Sequence, residues 1–154
     1  MKIALASDHR GFTAKEHLRA FLTQQGHDVT DFGTDSTASC DYPDVTYHAA
    51  RSVRLGEAEK GIMLCGTGIG TSIVANKVHG IRAALCHDEL TAEMARRHND
   101  ANVLCLAADL TGESLMQRIV EVWLRTPFDG GRHKRRIGMI SDVENSETDQ
   151  KPSA

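Results

Sequence analysis

Five short apolar runs punctuate the chain, at Ile3 to Ala6, Val29 to Phe32, Gly61 to Cys65, Ile81 to Cys86 and Val103 to Ala107. Between them lie longer stretches in which apolar residues recur every three or four positions. Runs this short read as strands and the longer period as helices, so their alternation predicts a βαβ order. A first helix is expected from Thr13, whose three-residue spacing to Glu16 suits a capping box, with Ala14, Leu18, Phe21 and Leu22 on one face and Gly26 at its end. A second is expected from Pro43, well suited to a first helical turn, to about Leu55, and a third through Ile73 to Lys77. Asp88 can cap a fourth that runs to about Arg97, and Gly112 introduces a fifth whose Leu115, Ile119, Val120, Trp123 and Leu124 form an apolar stripe. After TPFDGG the segment RHKRRIGMI can start a last short helix, and the polar NSETDQKPSA that follows reads as disordered.

Right-handed crossovers between parallel strands put helices on both faces of a sheet. The expected fold is therefore α/β: a doubly wound, five-stranded parallel sheet in three layers with an extra C-terminal helix. One domain is expected over residues 1–144, with 145–154 as a disordered tail. Ligands of such sheets bind beyond the carboxyl ends of the strands, where the strand order reverses. That rule singles out Ser7, Asp8 and His9 after the first run, Cys65 to Gly70 after the third, and His87 and Asp88 after the fourth.

Charge narrows the partners. The 154 residues carry 18 Lys and Arg against 21 Asp and Glu, a formal net charge of -3, which disfavours nucleic acid or an anionic membrane as the main partner. The start, MKIALASDHRG, has a single lysine and only a few apolar residues before Ser7, too few for a signal peptide or a spanning helix, so a cytoplasmic protein is expected. Four cysteines, Cys40, Cys65, Cys86 and Cys105, include no CxxC pair, and eight histidines include no HxH or HxxxH pair. Neither a disulfide framework nor a metal site is suggested, and a reaction without metal or cofactor is expected.

The stretch MLCGTGIGTS, residues 63 to 72, ends an apolar run in a cysteine and continues at once into three alternating glycines. A strand that passes through such a loop into a helix gathers backbone N–H groups around one point, with the positive end of the helix dipole behind them. Negative charge is attracted there. GTGIGT resembles a dinucleotide fingerprint, and Asp88 stands 22 residues after Gly66, near the place of a ribose-binding acid. Against a nucleotide, Thr71 occupies the third glycine position, the loop follows the third strand rather than the first, and there is no Walker lysine. The other reading starts from Cys65, since a thiol at a helix N-terminus among amide donors can ionise near neutral pH and act as nucleophile or base. A cysteine ending a buried strand can equally be a small packing residue. Proton abstraction beside a carbonyl is the chemistry that would use the loop amides, which would stabilise the resulting oxyanion.

Other groups could join this site. Asp8 and His9 follow the first strand directly, where an Asp-His pair can also be a helix cap beside a solvated imidazole. His98 and Asn99 come at the end of the fourth helix, where a histidine can complement the dipole or serve as an acid-base group. In RHKRR, residues 132 to 136, Arg132 and Arg136 are four apart and share one side of a helix, so they could grip a phosphate together, whereas a charged stretch is otherwise a solvated face. One Trp, two Tyr and four Phe are too few aromatics to favour a nucleic-acid surface there.

Taken in order, SDHRGF, DYP at 41 to 43, CGTGIGTSIVANKVHGIRAALC at 65 to 86, RRHNDANVLCL at 96 to 106 and GGRHKRRI at 130 to 137 resemble the B-type ribose-5-phosphate isomerases, within the family that includes galactose-6-phosphate isomerase subunits. The likeness covers about residues 2 to 144. It implies a Rossmann-like or flavodoxin-like fold and a metal-free aldose-ketose isomerase, working as a homodimer or homotetramer with active sites between subunits. By the resemblance, Cys65 would be the base that moves a proton between C1 and C2 through a cis-enediolate, and Thr67 and His98 would assist ring opening. Asp8 and Asn99 would hold sugar hydroxyls and Tyr42 would line the pocket. Backbone amides of Gly66, Gly68 and Gly70 would stabilise the enediolate, and His9, Arg132 and Arg136 would bind the phosphate. One departure stands out: where many members carry an arginine after the fifth strand, this chain has Asp109, which would repel a phosphate. The implied substrate is ribose 5-phosphate, with a tetrose 4-phosphate, a hexose 6-phosphate or a non-catalytic nucleotide-binding role as alternatives.

Overall fold

In the computed structural model the described residues are 1–149. Five strands and six helices follow one another as β1 (Lys2–Ser7), α1 (Phe12–Gln24), β2 (Asp28–Asp31), α2 (Tyr42–Arg54), β3 (Lys60–Cys65), α3 (Ile69–Ala75), β4 (Ala83–Leu85), α4 (Glu89–Asn99), β5 (Val103–Ala107), α5 (Glu113–Arg125) and α6 (Arg132–Asp149). All strand pairs are parallel and the order across the sheet is β2-β1-β3-β5-β4. The chain moves one way from β1 to β2 and the other way from β3 onward, so the order reverses between β1 and β3. That is where a crevice opens in a doubly wound sheet. The expected fold class, a three-layer α/β sheet, is the one observed.

The layers follow from side-chain alternation along the strands. Ile3, Leu5, Ile62, Leu64, Leu104 and Leu106 point to one face and pack with Leu18 and Leu22 of α1, Ala95 of α4, and Met116, Ile119, Val120 and Trp123 of α5. Ala4, Ala6, Met63, Val103 and Cys105 point to the other, under Ala49 and Ala50 of α2 and Ala75 of α3. The small residues on this second face let α2 and α3 lie close to the sheet. Among the described residues, no helix is long and apolar enough to cross a membrane.

Element ends differ from expectation for identifiable reasons. α1 does not begin with a Thr13–Glu16 capping box: Gly11 is at its cap, without a side-chain bond. The Glu16 carboxylate is instead spent on Lys15, 2.7 Å away, and Asp8 Oδ1 accepts the Arg10 and Gly11 amides at 2.9 and 3.1 Å. At α4 the expected cap is present and is reciprocal: Asp88 Oδ1 accepts from the Thr91 amide at 2.7 Å, and Thr91 Oγ1 accepts from the Asp88 amide at 3.3 Å. β4 is shorter than the apolar run from Ile81 to Cys86, because the Ile81 amide turns back to Val78 and the Arg82 and Ala83 amides are taken by the side chains of Asn102 and Asn76. Residues 145–149, expected in a disordered tail, continue α6 as far as Asp149. The polar composition suggested disorder, yet no glycine or proline interrupts the chain between Gly138 and Pro152 to stop the helix. Residues 150–154, the rest of the expected tail, lie outside the described residues.

Candidate active site

β3 delivers Cys65 to the carboxyl edge of the sheet at the reversal point, flanked by the ends of β1 and β5. The residue is 5% exposed, whereas Ile62, Met63 and Leu64 before it are at 0%. Its sulfur accepts from the Gly68 amide at 3.1 Å and lies 3.8 Å from the Thr71 hydroxyl, which itself donates to the Gly68 carbonyl at 3.0 Å. The chain reaches this geometry only because residue 68 has no side chain. Gly68 sits at φ 72, and a β-carbon there would fall 2.5 Å from Leu85 Cδ1 and 2.9 Å from the Leu106 carbonyl carbon.

The remaining loop residues lie around the same end of β3. Thr67 is exposed and its hydroxyl accepts from the Ile69 amide at 3.4 Å. A β-carbon on Gly66 would meet the Asp109 carboxylate at 2.5 Å and Arg10 Nε at 2.8 Å, and one on Gly70 would meet the Tyr42 ring at 2.6 Å. Tyr42 opens α2 and therefore brings its ring over the start of α3. Asp8 is buried, its Oδ1 holding the turn into α1. His9 is half-buried, with Nδ1 3.3 Å from the Cys40 amide and 3.2 Å from the Cys40 carbonyl. Both contacts use Nδ1, which leaves Nε2 as the free ring nitrogen.

A second group gathers at the opposite edge. α4 returns the chain to the amino end of β5, so its last residues, His98 and Asn99, lie there. The Asn99 carbonyl accepts from Arg82 Nε at 2.9 Å, just ahead of β4. At about 3.3 Å of rise per residue, β5 alone separates the two edges by on the order of 15 Å. The His98 ring stacks on His133 of α6, centroids 4.3 Å apart and planes at 2°, beside Asp129, which pairs with Arg97 at 3.1 Å. Arg97 holds the Asp129 carboxyl below the usual carboxylate range. Burial, then His98, Arg132 and Arg136, lower the His133 imidazole. Arg132 and Arg136 are exposed on the first turns of α6.

The structure thus brings together Asp8, His9, Tyr42, Cys65, Gly66, Thr67, Gly68 and Gly70, and places His98, Asn99, Arg132 and Arg136 elsewhere on the same chain. Sequence reasoning missed Thr71 and Arg10 in the first group and His133 with Asp129 in the second. Arg10 and Thr71 could have been found by their adjacency to the singled-out motifs; the stacked pair joins residues far apart in sequence and left no local signal.

His98, Asp129 and His133 offer ligand atoms within 4.8 Å of one another. They suit a divalent ion poorly: stacked rings aim their in-plane lone pairs side by side rather than at one point, the carboxylate is engaged by Arg97, and Arg132 and Arg136 stand close to His133. The set fits an anion better than a cation.

A family model described as Ribose/Galactose Isomerase matches residues 3–140. The chain belongs to the ribose/galactose isomerase family. Among its relatives, ribose-5-phosphate isomerase B of Escherichia coli is 43% identical over 143 residues, covering 93% of this chain and 96% of that one. The structure of Clostridium thermocellum ribose-5-phosphate isomerase B superposes with a TM-score of 0.95 at 47% identity, covering 96% and 99% of the two chains. That of the Mycoplasma genitalium enzyme with bound ribulose 5-phosphate superposes with a TM-score of 0.89 at 41% identity, covering 94% and 96%. As a family member, the chain has the glycine loop and the terminal arginines of the resemblance in one fold, but at opposite edges of its sheet.

Proposed function

We propose that this protein interconverts ribose 5-phosphate and ribulose 5-phosphate, with Cys65 as the base. The observation that carries the reading is the Cys65 sulfur at the sheet's reversal point, 3.1 Å from a loop amide, in a residue that keeps 5% exposure where the three before it have none. As thiolate, Cys65 takes the proton from C2 of the open-chain aldose, and the electron pair moves onto the C1 carbonyl to give the cis-enediolate. The same proton returns to C1 while the O2 hydroxyl proton passes to O1, giving the ketose. Charge develops on the enediolate oxygens, where the amides of Gly66, Gly68 and Gly70 stabilise it. Asp8 and Tyr42 hold the sugar, Thr67 assists ring opening, and His9 donates from Nε2 to the phosphate.

The second group completes this site from another copy of the chain. Within one chain, His98, Asn99, Arg132 and Arg136 face away from Cys65. A two-fold pairing that sets the amino edge of one chain against the crevice of its partner supplies His98 for ring opening, Asn99 for a hydroxyl and the two arginines for the phosphate. Such a pairing makes two equivalent sites per dimer. A cytoplasmic setting accords with this substrate class.

The test is turnover by Cys65→Ala. Ribose 5-phosphate should still raise its melting temperature while isomerisation is lost; near-normal turnover overturns the base assignment. Assays against tetrose, pentose and hexose phosphates fix the substrate, and stabilisation by AMP or NAD in place of sugar phosphates would overturn the isomerase reading. Mixing Cys65→Ala with His98→Asn should restore about a quarter of wild-type activity, because half the dimers are mixed and each then holds one intact site. No recovery would overturn the shared site.

A further inference from the structure

Asp109 follows β5 at the place where a negative charge is least welcome to a phosphorylated substrate. The structure shows what that charge does. Arg10 Nε donates to Asp109 Oδ2 at 2.7 Å, and Arg10 Nη2 lies 2.6 Å from the same oxygen. The pair closes over Gly66, bridging the turn after β1 and the turn after β5. Both turns are fixed through their amides: the Arg10 amide donates to the Asp8 side chain at Oδ1, 2.9 Å away, and the Asp109 amide donates to the Gly66 carbonyl at 3.0 Å. The Arg10 side chain remains 58% exposed.

A guanidinium has two edges on which it can make paired hydrogen bonds. Asp109 takes the edge carrying Nε and Nη2. The edge carrying Nη1 and the second Nη2 hydrogen makes no hydrogen bond among the described residues. A cation oriented in this way, one residue from His9 and against the glycine loop, has the chemistry of an anion ligand with its rotamer already fixed.

We infer that Arg10 binds the phosphate of the substrate through its free edge and that Asp109 is a positioning residue which holds it there. The inference rests on the sugar-phosphate reading of the same crevice. Asp109 then does not repel the substrate as a bare carboxylate, because its charge is matched by Arg10, and the arginine is aimed by a residue that touches no substrate.

The experiment compares Arg10→Met, Asp109→Asn and the double variant in the full chain, with thermal melts confirming folding. Readouts are KM and kcat for ribose 5-phosphate and the dissociation constant of inorganic phosphate by calorimetry. Loss of a charge-assisted pair predicts about a tenfold rise in KM for Arg10→Met, with kcat falling far less, and a matching weakening of phosphate binding. Asp109→Asn should give a smaller rise, about threefold, and add nothing in the Arg10→Met background. Unchanged KM and phosphate binding in Arg10→Met overturn the role of Arg10. Additivity in the double variant overturns positioning by Asp109. Phosphate binding separates this result from the parent reading: if the wild type binds phosphate through Arg10 but turns over no sugar phosphate, the isomerase reading fails and this inference stands.

Discussion

The ring of Tyr42 lies on Gly70 so closely that a β-carbon there would stand 2.6 Å from its Cζ and 2.7 Å from its Cε2. Gly70 is in the first turn of α3, where alanine would otherwise favour the helix by about 1 kcal/mol. Tyr42 is 37% exposed and can swing outward, so the clash moves the ring rather than unfolding the chain. Gly70→Ala should therefore leave the urea midpoint unchanged or slightly raised while KM for the sugar phosphate rises roughly five- to tenfold, about 1 kcal/mol of binding. A fall in stability with unchanged KM would show that Tyr42 has no part in the pocket.

Lys15 is fully buried, with its ammonium between Glu16 and Asp31, two carboxylates that keep 30% and 27% exposure. Removing one member of a buried ion pair costs about 3–5 kcal/mol when the other is left uncompensated. The partial exposure of both acids sets the expectation for Lys15→Ala at the lower end, about 3 kcal/mol by urea denaturation. Lys15→Met fills the volume and should recover part of that loss.

The cysteines should separate by reactivity. Burial pushes the thiols of Cys86 and Cys105 up to about 11 and about 12. In the folded protein at pH 8 iodoacetamide should leave both untouched, with half-buried Cys40 modified first. Peptide mapping after alkylation reads this directly. In Cys40→Ser, any modification that abolishes activity and is blocked by ribose 5-phosphate should map to Cys65.

Acid should weaken the fold through carboxylates held by specific donors. The Thr91 amide, followed by its hydroxyl, lowers the Asp88 carboxyl, and the bond from Lys15 chiefly lowers that of Glu16. Each is lower in the folded than in the unfolded chain, so its contribution is present above the ordinary carboxylate range and is lost as pH falls through the folded value. Asp88→Ala should lower the melting temperature at pH 7 and reduce its further drop between pH 5 and 3. An unchanged acid profile would remove the cap from the account.

The sheet was legible because its central strands β1, β3 and β5 are buried and read as nearly continuous apolar runs, and the gathering of Asp8, His9 and the glycine loop because a parallel sheet brings the residues after its strands to one edge. The cap at Asp88 was legible because its partner, Thr91, is local. What stayed hidden depended on contacts between distant segments. Glu16 looked free to cap α1, but Lys15 claims it, and the turn is held from outside the helix by Asp8. α6 looked short because its second half is polar, although composition alone does not end a helix. His98 and Arg132 carried candidate chemistry, but only the return path of α4 and the stacking of His133 on His98 show that they stand at the far edge. Asp109 reads in the sequence as a bare negative charge, whereas Arg10, distant along the chain, pairs with it.

Gly68 touches the side chain of Leu85 on one side and the main chain of Leu106 on the other, with no yielding layer between the amide that donates to the Cys65 sulfur and the interior. Trimming or enlarging the Leu85 side chain would thus be felt as a change in rate before it is felt as a loss of fold, and the drift of that apolar position over evolution would be restrained by chemistry as much as by packing.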